Sequence, residues 1–133
     1  MQQDDILFSV HGQVGLVEMN RPKALNALSY DMAVALRQAL AAWAADDGVT
    51  HVVLASSQPR AFCAGGDVRD LHAVAARGDF DRMPVHFGAE YGAHLAVYEF
   101  PKPVIALADG IVMGGGAGPV SYTHLTLPTI LLV

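Results

Sequence analysis

The spacing of hydrophobic and polar residues predicts a hairpin and then a helix in the first third of the chain. Residues 6–10 and 14–19 are short apolar stretches rich in β-branched side chains, and a short turn containing glycine joins them, which is typical of a β-hairpin. In residues 30–45 apolar side chains recur every three or four positions, which predicts an amphipathic helix. Ser29 suits its N-cap, and Gly48 suits a left-handed position that would end it.

The middle of the chain alternates between short apolar runs and helical patterns. Residues 49–55 and 104–108 are apolar and predict strands that are buried, the first covered on both faces. Residues 68–75 and 84–98 predict helices, and the second of these ends before Pro101. Strands that alternate with helices indicate an α/β fold with at least one crossover connection.

Two glycine clusters each follow an apolar run, at residues 61–67 and 113–118. Glycine lets backbone N–H groups approach a ligand closely, and a helix that begins beyond the turn adds the positive end of its dipole. Such turns suit an oxyanion or a phosphate, and two of them facing one cavity could each donate one N–H to a thioester or ester carbonyl. The alternative is that the glycines serve only the geometry of the turns.

Composition and charge narrow the function classes. The chain has 133 residues, 53% of them hydrophobic, and a formal net charge of −5, which fits one globular domain at most and gives no basic stripe for nucleic acid. The N-terminus is polar and acidic, unlike a secretory signal, and no apolar run is long enough to cross a bilayer. We therefore expect a cytoplasmic protein with neither nucleic acid nor membrane as a partner.

The cysteine and the histidines carry no motif of their own. Cys63 has no histidine at a spacing that would indicate a catalytic partner for a nucleophilic thiol. We therefore interpret it as a small buried thiol that fits a reducing compartment. The six histidines lack the spacing of metal ligands, and we expect no metal site. The triple glycine does not follow the dinucleotide fingerprint, and the chain contains no Gly-x-Ser-x-Gly nucleophile elbow.

The last fifteen residues differ from the rest of the chain. Residues 119–133 carry no charged side chain and contain three threonines. A helix should begin at the second glycine cluster, but Pro119 and the β-type residues after it fit a helix poorly. We therefore expect residues 1–118 to belong to the fold, and residues 119–133 to be foreign or frame-shifted sequence.

Three motifs resemble those of the enoyl-CoA hydratase/isomerase (crotonase) superfamily, and they occur in the order and at the separation that are typical of it. They are residues 21–28 (RPKALNAL), 61–67 (AFCAGGD) and 102–116 (from KPVIA to the triple glycine), and the likeness extends over residues 6–118. The details, including the Glu-Tyr pair at 90–91, look most like the 3-hydroxyisobutyryl-CoA hydrolase branch. The resemblance implies a crotonase-like spiral of repeated ββα units, truncated here to its N-terminal half.

The resemblance also implies roles for individual residues. The backbone N–H groups of Gly66 and Gly115 would form the oxyanion hole for the thioester. The positions expected to bind substrate are Lys23, Ala24, Leu25, Ala64, Gly65, Asp67, Glu90 and Gly114. Among them, Lys23 could equally be a solvated surface lysine, Glu90 a carboxylate on a helix surface, and Asp67 a helix cap.

The activity implied is acyl-CoA thioester hydrolysis, as in valine breakdown. Hydratases of the superfamily carry a glutamate two residues beyond the triple glycine, where this chain has Gly118. The hydrolases place their acid/base carboxylates further on, so we expect this chain alone to be inactive. The alternatives are an enoyl-CoA hydratase/isomerase and an inactive CoA-binding remnant. Coenzyme A enters only as part of the substrate, no other cofactor is expected, full-length relatives would be homo-oligomers, and the acyl group is not determined.

Overall fold

Strands and helices alternate along the chain, as the spacing predicts. The computed structural model describes residues 5–121. The strands are β1 (Ile6–His11), β2 (Val14–Met19), β3 (His51–Ser56), β4 (Ala61–Cys63), β5 (Val104–Ala106) and β6 (Ile111–Val112). The α-helices are α1 (Tyr30–Ala44), α2 (Val68–Ala76), α3 (Met83–Tyr98) and α4 (Ala117–Ser121), and single turns of 3₁₀ helix cover Pro22–Ala24, Phe80–Arg82 and Gly114–Gly116.

The main sheet has four strands in the order β1-β2-β3-β5. Strands β1 and β2 form the predicted antiparallel hairpin, in which Ile6 pairs with Met19. Strand β3 runs parallel to β2, and β5 runs parallel to β3, so the helices between them are crossover connections. The predicted α/β class is therefore confirmed.

A second, two-stranded sheet brings the glycine clusters together. Strands β4 and β6 are parallel, with Ala61 opposite Ile111 and Cys63 opposite Val112. Each strand leads directly into one glycine cluster, and the ends of neighbouring parallel strands lie at the same edge of a sheet. The hydrophobic pattern did not predict these two strands, because they contain only three and two residues.

The two longer apolar runs form strands that are less covered than predicted. In β3 the buried residues Val52 and Leu54 alternate with partly exposed neighbours, so only one face is fully covered. In β5 the side chain of Ile105 is 46% exposed. The expectation of coverage on both faces of β3 and of a buried β5 was therefore wrong. The core side chains of α1 pack on the face of the sheet that carries Val52 and Leu54, and the opposite face stays partly exposed. Among residues 5–121, the largest fully buried side chains are Phe62, Met19, Met32, Leu36, Leu40, Leu54, Val17, Val49, Val52, Asn26 and Cys63.

The three longer helices lie where the sequence predicts them, within a residue or two. The expected poor fit of Pro119 was wrong, since Pro119 is the third residue of α4, where its missing N–H would have no partner within the helix. Residues 122–133 lie outside the described residues, so the foreign origin of the tail stays a prediction. Within residues 5–121, no helix is both long enough and apolar enough to cross a membrane.

The C-terminal end of α1 is bound by the side chain of a distant lysine, and the expected left-handed glycine does not end the helix. Its C-cap is Ala45 in right-handed geometry, and the N–H of Gly48 bonds to the Asp46 carboxylate at 2.8 Å. The ammonium of Lys102 reaches back from just before β5 and donates to the carbonyls of Trp43 and Asp46, both at 2.6 Å. A cation at this end also complements the helix dipole. Lys102 therefore ties α1 to the start of β5.

We predict that Lys102→Met lowers the free energy of unfolding by about 1 kcal/mol, because two helix-end carbonyls lose a charged donor. Urea denaturation followed by circular dichroism measures this loss. The matched control is Lys23→Met, since Lys23 is exposed and a surface substitution of this kind changes stability by less than about 0.5 kcal/mol. Equal losses in the two variants would contradict the role given to Lys102.

Candidate functional site

Asn26 fixes the loop between β2 and α1 against strand β4. Its side chain is completely buried, and its backbone has a φ of 55°, in the left-handed region. The amide oxygen accepts a hydrogen bond of 2.8 Å from the N–H of Arg21. The amide nitrogen lies 2.8 Å from the hydroxyl of Ser56 and 3.0 and 3.1 Å from the carbonyls of Ala61 and Phe62. One side chain thus connects the loop to the strand that carries the first glycine cluster.

The same loop pairs with the first glycine turn through its backbone. Leu28 forms an isolated parallel bridge with Gly66. The N–H of Leu28 donates to the carbonyl of Gly65 at 2.7 Å, and the N–H of Asp67 donates to the carbonyl of Leu28 at 3.0 Å. Because consecutive peptide groups of an extended chain point to opposite sides, the N–H of Gly66 faces away from the loop. Within residues 5–121 it has no hydrogen-bond partner.

Asp67 closes the turn by capping α2. Its carboxylate accepts hydrogen bonds from the N–H groups of Arg69 at 3.0 Å and Asp70 at 3.3 Å, and it forms an ion pair with Arg21. Burial alone would raise the pKa of Asp67, but the hydrogen bonds and charge from Arg21 and the α2 N–H groups outweigh it, so the pKa lies below its ordinary value. The predicted helix cap is confirmed, and direct substrate contact by Asp67 stays a prediction.

The second glycine turn packs directly on the first. A Cβ on Gly65, whose φ is 101°, would lie 3.1 Å from the carbonyl oxygen of Met113 and 3.3 Å from the nitrogen of Gly115. A Cβ on Gly116 would collide with the carbonyl of Cys63. Glycine is therefore required at both positions for the turns to approach this closely. The expectation that the two clusters lie together is confirmed.

Glu90 of α3 lies across both turns. A Cβ on Gly66 would lie 2.6 Å from one of its carboxylate oxygens, and a Cβ on Gly115 would collide with the other. The side chain of Glu90 is only 8% exposed, so the alternative of a surface carboxylate was wrong. The N–H of Gly115, like that of Gly66, has no hydrogen-bond partner among the described residues. The structure thus places two unused N–H donors and one buried carboxylate around the junction of the turns.

His94 lies one helical turn after Glu90 and was missed as a site residue. Its ring atoms Cε1 and Nδ1 lie 3.1 Å from where a Cβ on Gly118 would be, and Cε1 lies 3.4 Å from that position on Gly115. The side chain is 7% exposed. The histidines lack metal-ligand spacing, but Glu90 and His94 are four residues apart on one helix face, and this is the signal in the sequence that points to His94.

The loop residues assigned to coenzyme A differ in exposure. Lys23 belongs to the 3₁₀ turn Pro22–Ala24 and is exposed, and within the described part of the chain its ammonium has no hydrogen bond or ion pair. Leu25 has a φ of 52°, and its carbonyl accepts a hydrogen bond of 3.1 Å from the N–H of Ala64. The structure therefore holds Ala64 beside this loop. The roles of Lys23, Ala24 and Leu25 stay predictions.

Cys63 is unsuited to act as a nucleophile. Its side chain is 1% exposed, and burial raises the pKa of the thiol, with the nearby charge of Glu90 acting in the same direction. A thiol with a raised pKa is protonated at neutral pH and reacts slowly. The interpretation of Cys63 as a small buried thiol is confirmed.

Comparisons with known proteins agree with this fold. A family model described as enoyl-CoA hydratase/isomerase matches residues 14–128. The chain is 37% identical over 125 residues to the mitochondrial 3-hydroxyisobutyryl-CoA hydrolase of Gallus gallus, an alignment that covers 94% of this chain and 32% of that protein. The chain thus spans about a third of the length of the curated relatives it matches.

Solved structures show the same architecture. A carnitinyl-CoA dehydratase from Mycobacterium thermoresistibile superposes with a TM-score of 0.83 at 40% identity, covering 92% of this chain and 36% of that one. An enoyl-CoA hydratase from Rhodobacter sphaeroides gives a TM-score of 0.82 at 38% identity, covering 86% and 34%. The predicted crotonase fold, present here in part, is confirmed.

We predict that Asp67→Asn lowers the free energy of unfolding at pH 7 by about 2 kcal/mol, because the half-buried guanidinium of Arg21 and the α2 N–H groups lose an ionised partner. The pKa of Asp67 is lower in the folded state, so this stabilisation is present above its unfolded value of about 3.9 and is lost as the pH falls through the folded pKa. The difference between wild type and variant should therefore shrink from pH 7 to pH 2.

The matched control for this prediction is Asp79→Asn. Asp79 forms an exposed ion pair of 3.3 Å with Arg77, and such pairs contribute less than about 1 kcal/mol. Urea denaturation of both variants across the pH range measures the two effects. An Asp67→Asn loss that is independent of pH would show that the ion pair with Arg21 is not its cause.

Proposed function

The chain belongs to the enoyl-CoA hydratase/isomerase family, and on that premise we propose that it is part of an acyl-CoA thioester hydrolase that acts on 3-hydroxyisobutyryl-CoA, as in valine breakdown. The observation that carries the proposal is the junction of the two glycine turns, where the unused N–H groups of Gly66 and Gly115 lie beside the carboxylate of Glu90. The name of the relative from Gallus gallus supports the same substrate.

The chemistry of thioester hydrolysis suits this arrangement. When water or a carboxylate attacks the thioester carbon, negative charge develops on the carbonyl oxygen. Fixed backbone donors such as the N–H groups of Gly66 and Gly115 stabilise that charge without having to reorganise, and one donor of this type is worth about 10²–10³ in kcat. In this proposal the thioester carbonyl lies at the two N–H groups and the acyl group lies towards Glu90. Coenzyme A binds along the loop that contains Lys23.

The second candidate function is enoyl-CoA hydration, which the name of the Rhodobacter sphaeroides structure favours. The surroundings of Gly118 argue against it. Gly118 stands where hydratases are expected to carry a glutamate, and a Cβ there would lie 3.1 Å from the His94 ring. A Cβ at 118 would therefore press on the ring, and His94 would have to give by a few tenths of an ångström to admit it. We thus favour hydrolysis, with the remaining acid/base carboxylates supplied by sequence beyond residue 118.

Assembly forms part of the proposal. Side chains of Tyr91, Leu95, Leu107 and Met113 are each more than half exposed in the described part of the chain. Tyr91 and Leu95 are four residues apart on α3 and so share one helix face, and adjoining exposed apolar side chains are typical of surfaces that contact further protein. We propose that the remainder of the full-length protein and further copies of it cover these residues in a homo-oligomer. The cytoplasmic location stays a prediction.

We predict that residues 1–118 joined to the rest of the Gallus gallus relative release coenzyme A from 3-hydroxyisobutyryl-CoA, whereas the present chain binds the ligand without hydrolysing it. In the chimera, Glu90→Gln should lower kcat/KM about tenfold, because a charge-assisted hydrogen bond to the acyl group becomes a neutral one. Thiol release followed with a colorimetric reagent measures both rates.

The matched control is Glu99→Gln, which removes an exposed carboxylate from the end of the same helix and should leave kcat/KM unchanged. Crotonyl-CoA hydration by the same chimera is measured in parallel. Hydration of crotonyl-CoA without hydrolysis of 3-hydroxyisobutyryl-CoA would overturn the proposed function in favour of the hydratase.

A further inference from the structure

The imidazole of His94 has an unused polar atom at the junction of the glycine turns. His94 is only 7% exposed, and its Nε2 is buried without a hydrogen-bond partner within residues 5–121. Buried polar side-chain atoms in native proteins nearly always have a partner, because leaving one unsatisfied is costly. An atom in this position can therefore bond to a group that arrives with a ligand.

The position of His94 determines where that group would lie. Its Cε1 lies 3.4 Å from the Cβ position on Gly115, where an oxygen of Glu90 also lies. The imidazole and the carboxylate therefore meet at the glycine whose N–H faces the proposed thioester. They extend from α3 one turn apart, on the same face of the helix.

The hydrogen-bonding chemistry of Glu90 and His94 restricts which ligand group can bond to both side chains. An ionised carboxylate only accepts hydrogen bonds, whereas a neutral imidazole with its proton on Nε2 donates one from that atom. A hydroxyl can donate to the first and accept from the second at the same time. A purely aliphatic acyl group would satisfy neither, and a site built for a hydroxyl rejects the analogue that lacks it.

We propose that His94 is a specificity-determining residue that, together with Glu90, binds a hydroxyl on the acyl group of an acyl-CoA. This inference rests on the proposed function, since it places the acyl group beside Glu90. It adds a residue that recognises the substituent of the acyl chain rather than the thioester. Glycine at residue 118 leaves room for the imidazole, since a Cβ there would lie 3.1 Å from the ring.

His86 provides a matched control on the same helix. It lies two turns before His94 and is equally buried, at 7% exposure. Its ring packs near Tyr30, with 6.3 Å between ring centroids, and it lines a different cavity, formed by α1, α2 and α3. A substitution of His86 removes a buried imidazole without touching the glycine turns.

The experiment measures binding of two ligands that differ by one hydroxyl, 3-hydroxyisobutyryl-CoA and isobutyryl-CoA, by isothermal titration calorimetry with the full chain. We expect wild type to bind the hydroxylated ligand about tenfold more tightly. His94→Leu should reduce this ratio to about threefold or less, and His94→Gln, whose amide can again bond to a hydroxyl, should recover most of it. His86→Leu should leave the ratio at the wild-type value.

A second measurement needs no variant. In the ¹⁵N spectrum of the wild-type histidines, the Nε2 signal of His94 should shift on addition of 3-hydroxyisobutyryl-CoA and stay in place on addition of isobutyryl-CoA. This readout holds even if His94→Leu fails to fold.

The outcomes separate the two proposals. The role of His94 would be overturned if both acyl-CoA ligands bind and His94→Leu leaves the ratio of their affinities at the wild-type value. It would also be overturned if the Nε2 signal responds equally to both ligands. Either result would leave the proposed function standing. Binding of both ligands no tighter than that of free coenzyme A would overturn the proposed function, and this inference with it.

Discussion

The hydrogen bonds of Asn26 are the constraint on which the site depends. A completely buried amide in left-handed backbone geometry joins the loop after β2 to the strand that carries the first glycine turn. Leaving its partners unsatisfied would cost about 1–3 kcal/mol for each buried group. Together with the bridge between Leu28 and Gly66, this contact holds the turn so that the N–H of Gly66 points away from the loop.

The rest of the structure supplies what faces that turn. The pairing of β4 with β6 places Gly115 beside Gly65, and α3 lies across both turns with Glu90 and His94 one helical turn apart. Backbone from two distant segments provides the donors, and a single helix provides the polar side chains. A Cβ at 66 or at 115 would meet the carboxylate of Glu90, so a side chain at either position would displace that carboxylate from the turns.

The sequence revealed the repeating elements and the motifs better than the contacts between them. The hairpin, α1 and the two glycine clusters could be predicted because their signals are local, in the spacing of apolar residues and in adjacent glycines. The roles of Asn26 and Lys102 could not, because each bonds to atoms thirty to sixty residues away. His94 was overlooked for a similar reason, since only the folded chain shows that its ring fills the space above Gly118.

The most direct test of the account follows the backbone amides of Gly66 and Gly115 in a ¹⁵N–¹H spectrum of the full chain during titration with 3-hydroxyisobutyryl-CoA. If both N–H groups bind one carbonyl oxygen, both signals should move downfield along a single binding curve, and free coenzyme A should leave them in place. The Asn26→Ala variant should lose the shift of Gly66, because its turn is no longer held. Movement of only one amide, or of neither, would contradict the claim that the two turns form one site.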